Sequence, residues 1–465
     1  MSIQIDDKLK PADLQTAIQR VFKLAGQKAR DIDRTWDASK GTPVYTVNGK
    51  YATRGWTEWT QGFQYGCAIL TFDATGDGEM LELGRTRTLE LMAPHVSHVG
   101  VHDHGFNNLS TYGNLRRLML EGRIPHDAWE KNFYEMAIKT SGAVQAARWS
   151  TTADEDPMDG GGYICSFNGP QSLFIDTMRT IRILGVAHQL GHVLMGEHDE
   201  KINLLGRTIA HALTTAKYIV FFGESQHTYD VRGRTAHEGI FNRNDGQFRC
   251  RSTQQGYSPF STWTRGLAWA VVGYAEELEF LKTLNTNEIK KACGLSKSDV
   301  VNVFEKAARA TADHYIDDCA TPDGITYWDD GAPGLVNLGD WRHAPAEPYN
   351  DHEPVDSTAS AITAQGLIRL GQYLGGRKGQ RYRQAGLTIA RTLFAEPYLA
   401  TEDSHQGLLL HSIYHRPNGW DNVPRGRKAP CHESSMWGDY HLLELANLIK
   451  RMGDGGPYPT FFDQP

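Results

Sequence analysis

Several features that would place this chain in a membrane, secretory or nucleic-acid-binding class are absent. No run approaches the ~20 apolar residues that a membrane-spanning helix needs, and the N-terminus MSIQIDDKLK lacks the basic-then-apolar pattern of a signal peptide. Lysine and arginine form no block, and a net charge of −7 does not favour nucleic acid or an anionic membrane as a partner. We therefore expect a soluble, cytoplasmic protein that holds any acidic ligand with a few well-placed cations.

The cysteines also lack the spacing of a metal site or a disulfide framework. The six residues lie far apart, at positions 67, 165, 250, 293, 319 and 431, and none forms a CxxC pair. We expect reduced and mostly buried thiols. Nothing in the sequence indicates an oligomeric state.

Helical periodicity dominates the 465 residues, whereas the alternating patterns of strands are few and short. The periodicity predicts twelve helices, at residues 11–31, 59–74, 78–97, 104–121, 127–147, 173–195, 199–222, 261–283, 298–318, 357–374, 380–396 and 435–452. Glycine-rich turns at residues 73–79, 189–192 and 373–380 indicate that the helices come in pairs.

A weak internal repeat follows these three turns. The segments ELGRTRTL, LLGRTIAH and QAGLTIAR place Gly84, Gly206 and Gly386 in register. Because a glycine inside a helix costs about 1 kcal/mol relative to alanine, the repeat suggests close contact between helices, although chance similarity also explains it.

Twelve helices in six hairpins have one economical closed arrangement, an all-α double ring of six inner and six outer helices, or (α/α)6 toroid. The hollow end of such a ring is a natural cleft. We expect four long loops to line it, at residues 148–170, 223–260, 319–356 and 397–434. No linker divides the chain, so residues 1–465 are expected to form a single catalytic domain.

One segment points to an acidic-sugar site. Residues 255–269 read QGYSPFSTWTRGLAW and follow a second glutamine. Tryptophan and tyrosine provide flat faces for a sugar ring, and arginine provides a fork of donors suited to a carboxylate. Trp263 and Arg265 lie about 200° apart around a helix axis, so both reach one ligand only if the helix begins at the cleft. A core tryptophan and a surface arginine are the alternative.

Two aspartates at helix starts are the candidate catalytic groups. Asp103 lies in VSHVGVHDHGF between two histidines, and Asp176 lies in the apolar run QSLFIDTMRTIRIL. Apolar neighbours make a carboxyl group hold its proton longer, as a general acid requires. A simple N-cap is the alternative for both, and Asp176 could instead pair with Arg179. A metal site on the histidines around Asp103 is disfavoured, because no HExxH motif is present.

Taken in order, these pieces resemble the unsaturated glucuronyl hydrolases, glycoside hydrolase family 88. The resemblance runs along nearly the whole chain, and its ordered set of motifs is specific although no single motif is. The matching segments are WTQGF with Trp59, HDHGF with His102 and Asp103, FIDTM with Asp176, His237 eighteen residues before Gln255, QGYSPFSTWTRGLAW, VDSTASAI and WGDYHLLELA. Leu267 and Pro259-Phe260 depart from the family pattern, and we expect these departures to lie at the rim and to affect the leaving sugar.

The resemblance implies an unusual hydrolysis. Such enzymes remove a 4,5-unsaturated uronic acid from lyase-generated oligosaccharides by hydrating its C4=C5 bond, without a metal or an organic cofactor. The resemblance assigns the acid/base role to Asp176 and an essential orienting role to Asp103. The substrate-binding residues it implies are Trp59, His102, His237, Gln255, Trp263, Arg265 and Trp269.

Three other functions remain open at this point. A glycosidase for saturated uronosides would cleave a substrate without a double bond. A sugar isomerase of similar helical shape would release no sugar. A non-catalytic carbohydrate-binding protein would tolerate loss of both aspartates.

Overall fold

The computed structural model describes residues 3–54 and 58–463. Trp56, a possible aromatic neighbour of Trp59 in the WTQGF region, lies outside the described residues. Each of the twelve predicted regions contains a helix, although the regions predicted at 173–195 and 199–222 also contain short strands. The α-helices are α1 Gln15–Thr35, α2 Gln61–Thr75, α3 Gly78–Leu91, α4 Ala93–Val96, α5 His104–Asn108, α6 Asn114–Leu120, α7 Ala128–Ala147, α8 Thr177–Thr180, α9 Arg182–Gln189, α10 Leu204–Tyr218, α11 Thr264–Thr283, α12 Thr286–Cys293, α13 Lys297–His314, α14 Ser357–Leu374, α15 Gly376–Leu393 and α16 Met436–Asp454.

The helices form two concentric rings. Helices α2, α5–α6, α8–α9, α11, α14 and α16 form the inner ring, in which each packs on the next and α16 packs back on α2. Helices α1, α3, α7, α10, α13 and α15 alternate with them along the chain and pack outside. The predicted (α/α)6 toroid is therefore confirmed. None of the helices in the described part of the chain is long and apolar enough to cross a membrane.

Two of the three repeated glycines lie where hairpin partners touch. A Cβ on Gly84 would come within 2.5 Å of Ile69 on α2, and one on Gly386 within 2.6 Å of the Ala364 carbonyl on α14. Gly206 differs, because it faces the Ala292 carbonyl of α12 rather than its preceding helix. Close contact explains all three glycines, but only two occupy equivalent places in the toroid.

Short strands are confined to the connections. Among the described residues they are β1 Tyr45–Val47, β2 Lys50–Ala52, β3 Trp149–Thr151, β4 Gly162–Ile164, β5 Ser172–Phe174, β6 Leu194–Met195, β7 Lys201–Ile202, β8 Glu238–Phe241 and β9 Phe248–Ser252. Antiparallel pairing gives β1–β2, β3–β4, β5–β8–β9 and β6–β7. Strand β5 is the reason that the helix predicted from residue 173 begins only at Thr177: its backbone hydrogen bonds go to β8.

Candidate active site

The first turns of the inner helices converge on a cavity of about 280 Å³. Residues at or just before the starts of α2, α5, α8 and α11 line it, together with the loop before α16. Its lining includes Trp59, His98, His102, Asp103, Phe106, Phe167, Asp176, Gln254, Gln255, Trp263, Arg265, Trp269, Tyr414, His415, Asn418 and Trp420. Eight of the nine predicted site residues are in this set.

Asp103 is a buried carboxyl group that does not cap its helix. It occupies the N-cap position of α5, but its side chain accepts no capping hydrogen bond. Burial and the nearby charge of Asp176 raise the pKa of Asp103 to about 8, against a smaller opposing effect of Arg148. The capping alternative for this residue is therefore wrong, and its proton is available near neutral pH.

Asp176 has the same character at the start of α8. Its side chain makes no capping bond, and its Oδ1 is buried without a hydrogen-bond partner. Burial raises the pKa of Asp176 to about 7, although the charge of Arg265 opposes this. Arg179, the alternative partner, pairs with Glu276 and Glu444 instead.

His102 lies beside Asp103 as a neutral ring. Its Nε2 is 3.8 Å from Asp103 Oδ1, and burial, together with the charge of Arg148, holds the pKa of His102 well below its usual value. The backbone carbonyl of His102 accepts hydrogen bonds from Gln145 Nε2 at 2.7 Å and Thr180 Oγ1 at 2.9 Å. These bonds fix the backbone that carries Asp103.

Arg265 is buried rather than on the surface, and most of its donors are already used. Nη1 donates to Asp356 Oδ2 at 2.5 Å and to the Ile413 carbonyl at 2.6 Å. Nη2 donates to the Tyr414 carbonyl at 2.7 Å and to Gln255 Oε1 at 3.2 Å. A two-pronged grip on a substrate carboxylate would break these bonds, so Arg265 contributes its charge and holds its neighbours in place.

The hydrogen bond from Arg265 fixes the orientation of the Gln255 side-chain amide. Since its Oε1 accepts from Arg265, its amide NH2 group is left to donate into the cavity that the residue lines. His237 lies behind this loop and outside the cavity lining. Its Nδ1 accepts from the Gln254 amide at 2.9 Å and from the Gln255 amide at 3.4 Å. His237 thus reaches the site through the loop that it supports.

Aromatic rings form the cavity walls. The Trp59 ring lies 4.9 Å from that of Trp437, and the Trp269 ring lies 4.8 Å from that of Phe106. Trp263 stands immediately before α11, and the Arg265 guanidinium lies 4.8 Å from its ring. The start of α11 is therefore at the cavity, as both side chains require.

The loop before α16 contributes four residues that the sequence analysis did not single out. Tyr414, His415, Asn418 and Trp420 line the cavity from the predicted loop 397–434. The available signal was the segment YHRPNGW, which mixes aromatic and polar side chains in the same way as residues 255–269. Its place in the cavity depends on closure of the ring, which no local pattern reveals.

The two departures from the family pattern occupy different environments. Leu267 is completely buried in the core, so the expectation that it lies at the rim is wrong. Phe260 is 48% exposed, and its carbonyl accepts a hydrogen bond from Arg234. Of the two, only the Pro259-Phe260 position is open to solvent contacts.

The histidine-rich segment before α5 does not form a metal cluster in the described part of the chain. His104 uses one ring nitrogen on Ser141 Oγ and the other on the His98 carbonyl. All six cysteines are free, and Cys250 is exposed.

Comparisons with known proteins agree with this geometry. No protein-family model matches the chain. The unsaturated glucuronyl hydrolase of Bacillus sp. strain GL1 is 26% identical over 456 residues, covering 93% of this chain and 96% of that protein. The unsaturated chondroitin disaccharide hydrolase of Streptococcus pyogenes serotype M1 is 24% identical, covering 90% and 86%. The crystal structure of the Bacillus sp. GL1 enzyme superposes with a TM-score of 0.65 at 23% identity, covering 94% and 97%.

A toroid whose cavity contains two buried carboxyl groups between aromatic walls defines a glycoside hydrolase of the (α/α)6 class. Along nearly its whole length the chain is similar to proteins named unsaturated glucuronyl hydrolase and unsaturated chondroitin disaccharide hydrolase.

Proposed function

We propose that the chain removes a 4,5-unsaturated uronic acid from the non-reducing end of lyase-generated oligosaccharides. The observation that carries this proposal is the pair Asp103 and Asp176, two buried carboxyl groups that line one cavity and have raised pKa values. Like charges in one site keep a proton on the pair near neutral pH. Relatives of matching length that are named for this activity support the proposal.

The reaction begins with proton transfer to carbon. The C4=C5 bond is part of a vinyl ether, so a proton delivered from Asp176 to C4 leaves oxocarbenium character at C5. Water then adds at C5 and returns a proton to the Asp176 carboxylate. The resulting hemiketal opens and expels the partner sugar with its glycosidic oxygen. The acid is regenerated, and one water is consumed.

The surrounding residues are assigned supporting roles. Asp103, held by the His102 backbone, orients the substrate. The Gln255 amide donates to the uronate or a nearby hydroxyl, in the orientation set by Arg265. Trp59, Trp263 and Trp269 supply the walls against which a sugar ring stacks. We further propose that the complete ring, residues 1–465, acts as one catalytic domain.

Hydration of a double bond predicts a simple substrate test. A lyase-generated unsaturated disaccharide and its saturated counterpart should be incubated with the enzyme in parallel. We expect the ultraviolet absorbance of the conjugated enol acid to fall as the partner sugar is released, with no release from the saturated compound. Cleavage of the saturated uronoside would instead establish an ordinary glycosidase, and loss of neither substrate across a panel of linkages would refute the proposal.

A further inference from the structure

A second cluster of chemically reactive side chains lies outside the active-site cavity. His314 ends α13, Cys319 closes the π-helical turn that follows, and Asp330 comes from the loop after Trp328. One nitrogen, one sulfur and one oxygen of these residues all lie within 4.8 Å of one another. This is the one such group of three or more potential metal ligands within residues 3–54 and 58–463.

Two of the three distances are near those of a tetrahedral metal site. His314 Nε2 is 3.4 Å from Asp330 Oδ2, and Cys319 Sγ is 4.0 Å from the same oxygen. With bonds of about 2.0–2.3 Å to nitrogen, oxygen and sulfur, neighbouring ligands of tetrahedral zinc lie roughly 3.3–3.7 Å apart. A shift of a few tenths of an ångström would bring the sulfur into range.

The imidazole is oriented as a metal ligand would be. Its Nδ1 lies 3.0 Å from Asp318 Oδ2, so a proton on Nδ1 is donated to that carboxylate and Nε2 is left facing Cys319 and Asp330. A carboxylate that accepts from the far nitrogen of a ligating histidine is a recurrent feature of zinc sites. The Asp318 side chain is 55% exposed, which places the cluster just beneath the surface.

Two further side chains contact the cluster. Thr262 Oγ1 lies 3.3 Å from His314 Nε2 and adds a neutral oxygen beside the three ligands. Arg234 Nη2 approaches Asp330 Oδ2 at 3.5 Å, but Nη1 of the same side chain already donates to the Phe260 carbonyl at 2.7 Å. Arg234 can therefore release the carboxylate without losing its anchorage.

We propose that His314, Cys319 and Asp330 form a structural site for a thiol-binding divalent metal ion of the zinc class. The site would brace the cavity wall, because Asp330 Oδ1 accepts from the Thr262 amide at 2.6 Å and Thr262 precedes the wall residue Trp263. On binding, the Cys319 thiol loses its proton to solvent and its sulfur bonds the metal. The ion takes no part in the hydration chemistry.

Cobalt(II) provides the test, because its bond to a thiolate absorbs in the near ultraviolet. Chelator-treated protein should be titrated with Co²⁺. We expect one equivalent to produce the band in the parent protein and in Cys250→Ser, which removes the exposed thiol, but not in Cys319→Ser. Absence of the band from the parent, or its persistence in Cys319→Ser, would overturn the proposal. His314 would then be a protonated bridge between Asp318 and Asp330.

A surface variant keeps the test independent of folding. Asp318→Asn changes an exposed side chain, so the fold and the three ligands are retained. Loss of the orienting carboxylate should weaken Co²⁺ binding by about 10–100-fold, and Zn²⁺ should raise the melting temperature of this variant less than that of the parent. Equal affinity and equal thermal shifts would contradict the assigned geometry.

Discussion

The cavity and the ion-pair cluster between α2 and α16 contain buried aspartates with opposite acid–base behaviour. Asp103 and Asp176 in the cavity have pKa values raised to about 8 and about 7, since burial is not offset by a bonded cation. Burial acts on Asp73 too, but Arg117 and Arg451 outweigh it and lower the pKa of Asp73 to about 2. The paired acid holds helices together, whereas the unpaired acids retain transferable protons.

An unpaired buried acid is nevertheless not sufficient for a site. Burial raises the pKa of Glu277 to about 8, and neither carboxyl oxygen of this residue has a hydrogen-bond partner. Glu277 does not line the cavity, and it lies about 18 Å along α11 from Arg265. Location at the open end of the ring, rather than pKa alone, distinguishes the catalytic candidates.

The largest expected effect is on kcat, and it is tested by comparing substitutions of Asp176 and Glu277. Asp176→Asn removes the proposed acid and base, so kcat on an unsaturated disaccharide should fall by about 10²–10⁴-fold. Glu277→Gln makes the equivalent change at a buried acid away from the cavity and should leave kcat within about twofold of the parent. Loss of enol-acid absorbance measures both, and circular dichroism checks the fold. Near-parental turnover by Asp176→Asn would remove it from the mechanism.

The second-largest expected effect is a loss of stability when Asp73, the paired acid, is substituted. Asp73 accepts from Arg117 at 2.8 Å, Arg451 at 2.5 Å and Asn447 at 2.7 Å. Asp73→Asn removes the carboxylate that both buried guanidinium groups contact and leaves Glu121 as their remaining counter-charge. This should cost up to about 3–5 kcal/mol in the free energy of unfolding. Denaturant unfolding at pH 7 measures this.

The half-buried Asp77, an N-cap of α3 that also pairs with Arg30 at 2.5 Å, provides a control for Asp73. Asp77→Asn keeps a good capping residue and should cost less than about 1 kcal/mol. Equal losses of unfolding free energy in the two variants would mean that burial of the Asp73 ion pairs adds nothing to stability.

Substitution of Asp103 should raise the free energy of unfolding, opposite to the effect expected at Asp73, and the size of this effect should depend on pH. Its folded pKa of about 8 exceeds the ordinary value of 3.8, so the folded chain keeps a proton that the unfolded chain releases. Stability from this group is therefore complete below about pH 4 and is lost as pH rises toward 8. Asp103→Asn should be more stable than the parent by about 1–3 kcal/mol at pH 8 and should gain little at pH 5, while turnover is lost.

Urea unfolding of the parent and Asp103→Asn at the two pH values checks this sign. A variant that is less stable than the parent at pH 8 would show that the Asp103 carboxylate is stabilised in the folded chain. The unpaired character of the cavity acids would then be wrong.

The same contrast explains how much the sequence could predict. Asp103 and Asp176 stand at helix starts in recognisable motifs, and local periodicity together with glycine turns was enough to predict the toroid. The partners of Arg265 could not be predicted in this way. Asp356 is ninety-one residues away and Tyr414 one hundred and forty-nine, and both meet Arg265 only when the ring closes. The sequence suggested that the Arg265 guanidinium group binds a substrate carboxylate, but its donors bond to the protein itself.

Leu267 shows that a sequence motif does not reveal which face of a helix meets the ligand. Its position between Arg265 and Trp269 suggested the rim, but successive side chains on a helix point about 100° apart. Leu267 consequently faces the core while its two neighbours reach the cavity. Which face of α11 meets the ligand depends on the packing of the inner ring, and a motif alone does not specify it.

The smallest expected effect separates two adjacent glutamines at the cavity. Gln255 Oε1 accepts from Arg265, which orients its amide as a donor, whereas Gln254 is held through its backbone amide, which donates to His237 Nδ1. Gln255→Ala removes one oriented neutral hydrogen bond, so KM for the unsaturated disaccharide should rise by about 3–10-fold with little change in kcat. Gln254→Ala, which retains its backbone bond to His237, should change KM less than twofold. Steady-state kinetics measures both variants, and equal effects would show that the contact with Arg265 does not set the substrate-binding role of Gln255.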